Sequence, residues 1–198
     1  MTAAERREQL IEISRALFAA KGYDGTSVEE IAARAEVSKP VVYEHFGGKE
    51  GIYAVVVDRE VRGLLGMMQQ SLTAGHPRML LEQAALALLD YIEQSSDGFR
   101  ILVRDSPPGS ASGSYVSIMS DIGTRVEGIL VDEFKARGFD AKAAPMYAQM
   151  LVGMVGTTGQ WWLDARKPAK EAVAAHLVNL AWNGLAGLEK KPTLRSRN

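Results

Sequence analysis

Thr26-Ser-Val-Glu-Glu-Ile-Ala-Ala-Arg-Ala-Glu-Val-Ser38-Lys-Pro-Val-Val-Tyr-Glu-His-Phe46-Gly-Gly-Lys49 is the stretch on which the reading of this 198-residue chain turns. It reads as two short helices joined by a tight turn, a helix-turn-helix over about 27–46. Ser27 and Glu30 have the spacing of a capping box, in which the hydroxyl accepts from the Glu30 amide and the carboxylate reaches back to the Ser27 amide. Val28, Ile31, Ala32 and Ala35 then fall on one apolar face. Ser38 suits the N-cap of the second helix, and Pro40 lies in its first turn, where a missing N–H is no loss. Helices of about eight or nine residues are not stable by themselves in water, so both must lean on a further element.

On the second helix Val42 and Phe46 form an i, i+4 pair that faces the core, which leaves Lys39, Pro40, Val41, Tyr43, Glu44 and His45 outside. Such a face suits a duplex groove. Lys39 and His45 offer donors to base edges or phosphates, Tyr43 a phenol to a phosphate, and Pro40 and Val41 apolar groups to a thymine methyl. With Thr26, Ser27, Ser38 and Lys49 these residues make up the candidate DNA-contacting set. Gly47 and Gly48 end the helix.

The run from Ser38 to Phe46, followed by Lys49-Glu50 and Ile52, resembles the recognition segment of the TetR family of transcriptional regulators. Ala16-Leu17-Phe18, Lys21-Gly22-Tyr23 and Thr26-Ser27-Val28 before Ile31-Ala32 add to the resemblance, which covers about 5–60. It implies an all-α chain with an N-terminal helix-turn-helix domain and a C-terminal helical domain for ligand sensing and dimerisation. It also implies repression of transcription, although nothing in the residues themselves excludes activation. Glu36 stands where the turn favours a left-handed glycine, at a cost of about 1–2 kcal/mol for a residue with a Cβ.

Composition alone does not point to DNA. The chain carries a formal net charge of −1, and residues 1–62 hold nine Lys or Arg against eleven Asp or Glu. Phosphate neutralisation, which supplies non-specific DNA affinity, must therefore rest on a local patch of Arg6, Arg7, Lys39, His45 and Lys49. With no cysteine, disulfides and thiolate metal sites are excluded, which suits a reducing compartment. The N-terminus has no apolar signal core, and a cytoplasmic protein is expected.

Ahead of the helix-turn-helix, Thr2-Ala-Ala-Glu5 is a second capping box, and Leu10, Ile13, Leu17 and Ala20 recur at helical spacing up to Gly22. This first helix is the expected support, and a small core of Leu10, Ile13, Leu17, Phe18, Val28, Ile31, Val37, Val42 and Phe46 follows. A long helix over 48–72 links the DNA end to the remainder, with Gly63 and Gly66 as a soft point. Further helices are expected over about 78–94, 115–137, 141–166 and 168–188, with a short helical turn over 99–104 and a loop of mobile composition over 106–114. The domains are therefore taken as 1–48, 49–188 and a polar basic tail, 189–198.

Met67, Leu88, Tyr91, Phe99, Tyr115, Met119, Met150 and Met154 are candidate lining residues for a largely apolar small-molecule pocket, because methionine fits irregular shapes; the plain alternative is gap-filling core. Arg100 and Arg104, one turn apart, could meet an acidic ligand group or form surface ion pairs. The last two helices are broadly apolar, and Gly153, Gly156, Leu177, Leu180 and Leu185 are candidates for a two-fold, four-helix interface of a homodimer, an arrangement the family resemblance also implies. The uncharged run 143–163 is long enough to invite a membrane reading, but Gln149, Thr157, Thr158 and Gln160 interrupt it, and a buried helix is expected.

His45, His76 and His176 have no metal-ligand spacing, Asp90, Asp97, Asp105 and Asp121 are scattered, and no nucleophile elbow or phosphate loop is present. No catalytic residue, metal or cofactor is expected. The reading is a homodimeric DNA-binding repressor released from a near-palindromic double-stranded operator by a small-molecule ligand. Its rival is a helical ligand-binding or protein-interaction module that has lost DNA binding.

Overall fold

The computed structural model describes residues 1–73, 75–104 and 115–194, without the side chains of Tyr115 and Val116. The expected loop over 106–114, Asp105, the end of the tail and the Tyr115 side chain lie outside the described residues. The described chain is all-α: α1 Ala3–Lys21, α2 Val28–Arg34, α3 Lys39–Phe46, α4 Lys49–Ser71, α5 Pro77–Gln94, α6 Ser96–Val103, α7 Tyr115–Arg137, α8 Ala144–Ala165 and α9 Lys170–Ala186. A single turn of 3-10 helix, Ala141–Ala143, leads into α8 in place of the α-helix start expected there. Pro168 stays in the connection ahead of α9 rather than starting it.

Packing divides the chain into two compact units that do not follow chain order. One comprises Met1–Met67 with Tyr91–Val116, the other Met68–Asp90 with Ser117–Asn198, so α4 and α5 each pass from one unit into the other. This division differs from the functional boundary expected at residues 48 and 49, because the first three helices share their core with the start of α4 and with α6.

In the first unit, α1 opens on the expected capping box: Thr2 N–H donates to Glu5 Oε2 at 2.7 Å and Glu5 N–H to Thr2 Oγ1 at 3.2 Å. Its buried face is Leu10, Ile11, Ser14, Leu17, Phe18 and Ala19, whereas Ile13 is only half-buried and Ala20 exposed. The expected face was rotated because polar Ser14 stands at a core position. Its hydroxyl is fully buried with no hydrogen-bond partner. α1 packs on α2 and on α6. Phe18 and Tyr53 meet edge to face at 5.0 Å, and Tyr53 meets Tyr23 likewise, which ties the start of α4 to the end of α1.

Deeper in this unit lies a polar cluster. Glu60 of α4 is 5% exposed. Its Oε1 accepts from Arg15 Nε at 2.6 Å, and its Oε2 accepts from the Tyr91 hydroxyl at 2.6 Å and from Ser95 Oγ at 3.1 Å. Arg15 also donates from Nη2 to Ser95 Oγ at 2.6 Å. Burial first, then the bond to Glu60, pushes the Tyr91 hydroxyl far above the ordinary phenol range, so it remains a donor. A buried carboxylate is tolerated only when its oxygens are paired in this way. Gly98 makes the room: a Cβ there would lie 1.7 Å from Glu60 Oε2 and 2.6 Å from Ser95 Oγ. At the end of α6, Arg104 Nη1 donates to the Phe18 carbonyl at 3.2 Å, one of the carbonyls at the end of α1.

In the second unit, Leu130, Phe134, Ala144 and Ala148 form a core against which Tyr147 and Phe139 pack. Lys170 pairs with Asp90 at 2.7 Å and so joins α9 to α5. α8 closes on Arg166 at φ 57, a left-handed cap, with Trp162 Nε1 donating to the Pro168 carbonyl at 2.9 Å. Among the described residues no helix is long and apolar enough to cross a membrane, and no three His, Asp or Glu side chains are grouped to hold a metal ion.

The two kinds of helical glycine should respond oppositely to alanine. Gly98→Ala should lose about 3 kcal/mol, at the upper end of overpacking costs. Gly128→Ala, where nothing lies within 4 Å of the new Cβ, should gain up to about 1 kcal/mol of helix propensity. Thermal denaturation followed by circular dichroism measures both; equal shifts would contradict the close approach at Gly98.

Candidate nucleic-acid interface

The helix-turn-helix is built by local rules with two departures from expectation. Ser27 Oγ accepts from Glu30 N–H at 3.1 Å, so α2 is capped. The reciprocal half of that box is replaced, because the Glu30 carboxylate takes Lys21 at 2.7 Å and Arg34 at 3.5 Å instead. Ser38 has the extended backbone of an N-cap but makes no side-chain cap bond, which leaves its hydroxyl exposed at the start of α3. The turn between α2 and α3 does place Glu36 at φ 53, the left-handed conformation expected for it.

α3 is oriented by one fully buried residue. Val42 is 0% exposed while Tyr43, next to it, is 53% exposed. Lys39, Pro40, Tyr43 and Glu44 line the outer face, with Val41 and His45 half-exposed beside them, and Phe46 is half-buried under the Arg7 guanidinium, 4.9 Å from the ring centre. The C-terminus is closed by Gly47 at φ 73, whose N–H donates to the Tyr43 carbonyl at 2.8 Å. Gly48 follows at φ 125, where a Cβ would stand 3.2 Å from Tyr43 Cε1. The absence of a side chain at 48 therefore lets the Tyr43 ring settle along the outer face.

The remaining candidates are placed differently. Thr26 is 2% exposed. Its hydroxyl donates to the Gly22 carbonyl at 2.8 Å, so its side chain closes the α1–α2 turn and is unavailable to a duplex. Lys49 Nζ donates to the Tyr23 carbonyl at 2.9 Å and lies 4.1 Å from the centre of the Tyr23 ring, a cation–π contact. Arg6 donates to the Ala35 carbonyl at 3.3 Å and to Gln9 at 2.6 Å. Lys39 is paired with Glu29 of α2. The structure thus gathers Ser27, Ser38, Lys39, Pro40, Val41, Tyr43 and His45 at the outer side of α2 and α3, with Lys49 anchored beside them.

Two models of known families match the chain: bacterial regulatory proteins of the tetR family over residues 10–56, and the tetracyclin repressor-like C-terminal domain over residues 67–196. The chain belongs to the TetR family. It is a DNA-binding transcriptional regulator, and the family is not enzymatic. Among curated relatives it is 32% identical over 185 residues to the HTH-type transcriptional activator FasR of Mycolicibacterium smegmatis, covering 92% of this chain and 84% of that protein. It is 26% identical to the HTH-type transcriptional repressor BepR of Brucella suis, over 83% of this chain and 84% of the relative. In fold it resembles the crystal structure of a TetR-like regulator from Rhodococcus sp. RHA1, with a TM-score of 0.75, 24% identity, and coverage of 95% of this chain and 100% of that one.

The candidate pocket residues are shared between the two units. Met67, Tyr91 and Phe99 belong to the first unit, and Leu88, Met119, Met150 and Met154 to the second. Tyr91 is committed to Glu60, and Phe99 is fully buried in the core. Met150 is 55% exposed, so it points outward on α8 instead of lining a cavity within its own unit. Of the candidate interface residues, Gly153 and Leu180 are exposed and Leu185 is half-buried, but Gly156 and Leu177 are buried within the unit. Gly153 and Gly156 are neighbours on the helix surface and straddle the border between the exposed and the buried side of α8. Glu60, Ser95 and Gly98 carried no recognisable signal in the sequence.

Gly48→Ala should weaken DNA binding by about fivefold, the equivalent of one hydrogen bond of about 1 kcal/mol, by displacing the Tyr43 ring and straining the backbone at φ 125. Fluorescence anisotropy on a selected duplex measures it. The effect should shrink in a Tyr43→Ala background to the part that the backbone strain supplies.

Proposed function

We propose that this TetR-family chain works as a homodimer that reads a near-palindromic operator with two copies of α3 and is controlled by a largely apolar small molecule. The observation that carries the reading is the split face of α3: Val42 is locked into the core while Lys39, Pro40 and Tyr43 are presented outward. In a two-fold dimer the two recognition helices meet successive major grooves, about 34–36 Å apart or a multiple of it.

The dimer surface is assigned to the outer faces of α8 and α9. Met146, Met150, Gly153, Thr157 and Trp161 are all exposed at three- and four-residue spacing along α8, and Leu180 is 66% exposed on α9. Such a stripe is costly to leave in water and suits a four-helix contact between two copies. Half-buried Met119 and Met154 supply adaptable apolar surface for the ligand. α4 carries the signal, since it begins at the recognition helix and runs into the second unit. Ligand binding then shifts the population toward a spacing that no longer fits both grooves, with release and derepression. Swinging a population from 1:99 to 99:1 in this way takes differential binding of about 5.5 kcal/mol. A second reading, activation from an operator upstream of the promoter, is favoured by the name of the relative at 32% identity.

Duplexes selected from a random pool and titrated by fluorescence anisotropy should show a steep loss of affinity with salt, with a slope of about −0.9 per neutralised phosphate. Binding no tighter than to random DNA would overturn the operator reading. A promoter–reporter fusion distinguishes repression from activation. Leu180→Glu should leave the fold intact, convert the protein to a monomer in sedimentation velocity, and cost most of the operator affinity.

A further inference from the structure

The cations around α3 are held in two chemically different ways. Arg6 donates to the Ala35 carbonyl and the Gln9 amide oxygen, Lys49 to the Tyr23 carbonyl, and Arg7 lies over the Phe46 ring. These partners are neutral, so they orient the cations without cancelling their charge. Of the described contacts of Arg6, Arg7, Lys39 and Lys49, that of Lys39 alone is to a carboxylate: its Nζ donates to Glu29 Oε1.

Both partners are exposed. Lys39 is the first residue of the recognition helix, where a side chain reaches base edges or flanking phosphates. Glu29 lies in the first turn of α2, beside the helix N-terminus that favours an anion. Its carboxyl is held below the ordinary carboxylate range, first by the hydrogen bond from Lys39, and it is charged at neutral pH. A lysine ammonium is a compact charge, and a phosphate oxygen and Glu29 compete for it. The pair must open for Lys39 to reach DNA.

We propose that Glu29 is an affinity-tuning residue that occupies the Lys39 ammonium in the free protein and is displaced from it by DNA. The inference rests on the reading of Lys39 as a DNA contact. Glu29 keeps the recognition helix electrically quiet until a duplex supplies a better-placed anion. In a head with eleven acidic and nine basic residues over 1–62, this pairing lowers affinity at the point where the helix would otherwise be most adhesive.

The test is a double-mutant cycle on the full-length protein, with a duplex selected from a random pool and read by fluorescence anisotropy. Lys39→Ala alone should weaken binding and reduce the salt slope by about one. Glu29→Gln alone should tighten binding about threefold, within the range that exposed ion pairs supply. In the Lys39→Ala background, Glu29→Gln should give less than half of that gain. Equal tightening in both backgrounds would mean that Glu29 acts only as a bulk charge repelling DNA, and the proposal falls. Weaker binding by Glu29→Gln would make the pair a strut that positions α3, which also overturns it. No effect of Lys39→Ala on affinity or slope removes the contact reading itself and the inference with it. Unchanged melting temperatures show that the exposed substitutions leave the fold in place.

Discussion

A carboxylate taken out of water has to be answered from every side, and Glu60 is answered by α1, by the end of α5 and by the residue that caps α6. Arg15, Tyr91 and Ser95 converge on its two oxygens, and Gly98 leaves the space in which they do so. Removing one partner from such a group is costly, since the charge is then left buried and under-compensated, by about 3–5 kcal/mol for a buried pair. The arrangement therefore holds α1, α4 and α6 in one relation. α1 in turn carries α2, and α2 carries α3. The recognition helix ends at Phe46, well before Glu60 in the sequence, yet its support is set there.

The surface that meets DNA is economical by comparison. One valine sets the rotation of α3, two glycines end it, and the aromatic ring of Tyr43 lies where Gly48 has no side chain to obstruct it. Around it the cations are oriented by carbonyls and rings, which keeps their charge directed without a broadly basic surface. Affinity in such a head depends on a few well-placed groups, and so does its sensitivity to salt.

Helix starts, stops and the recognition face were legible because they are local: capping residues, a proline in a first turn, glycines at termini and an i, i+4 apolar pair all act within a few residues. The left-handed Glu36 was legible for the same reason. What escaped depends on contacts between distant positions. Ser14 was not among the expected core positions of α1, but it sits in the core face of that helix. Thr26 stood in the candidate DNA-contacting set, yet its hydroxyl is spent on the Gly22 carbonyl of the α1–α2 turn, and the Tyr23 carbonyl that orients Lys49 could not be foreseen either. Met150 and Leu177 were apolar residues of apolar helices, and periodicity alone does not say which side of a helix with two apolar faces is turned inward. Tyr91 had the composition of a pocket residue and the position of a polar anchor.

Because the first unit is assembled from 1–67 and 91–116, the head is not a portable module. During synthesis the helix-turn-helix is made before Tyr91, Ser95, Gly98 and Arg104, so Glu60 and the Phe18 carbonyl precede their partners. The contacts around Glu60 are complete only once α6 is present. For the same reason, a chimaera that grafts 1–48 onto another regulator inherits the reading surface but leaves behind the groups that hold it, and exchange of heads within such a family works best when α6 travels with the helix-turn-helix.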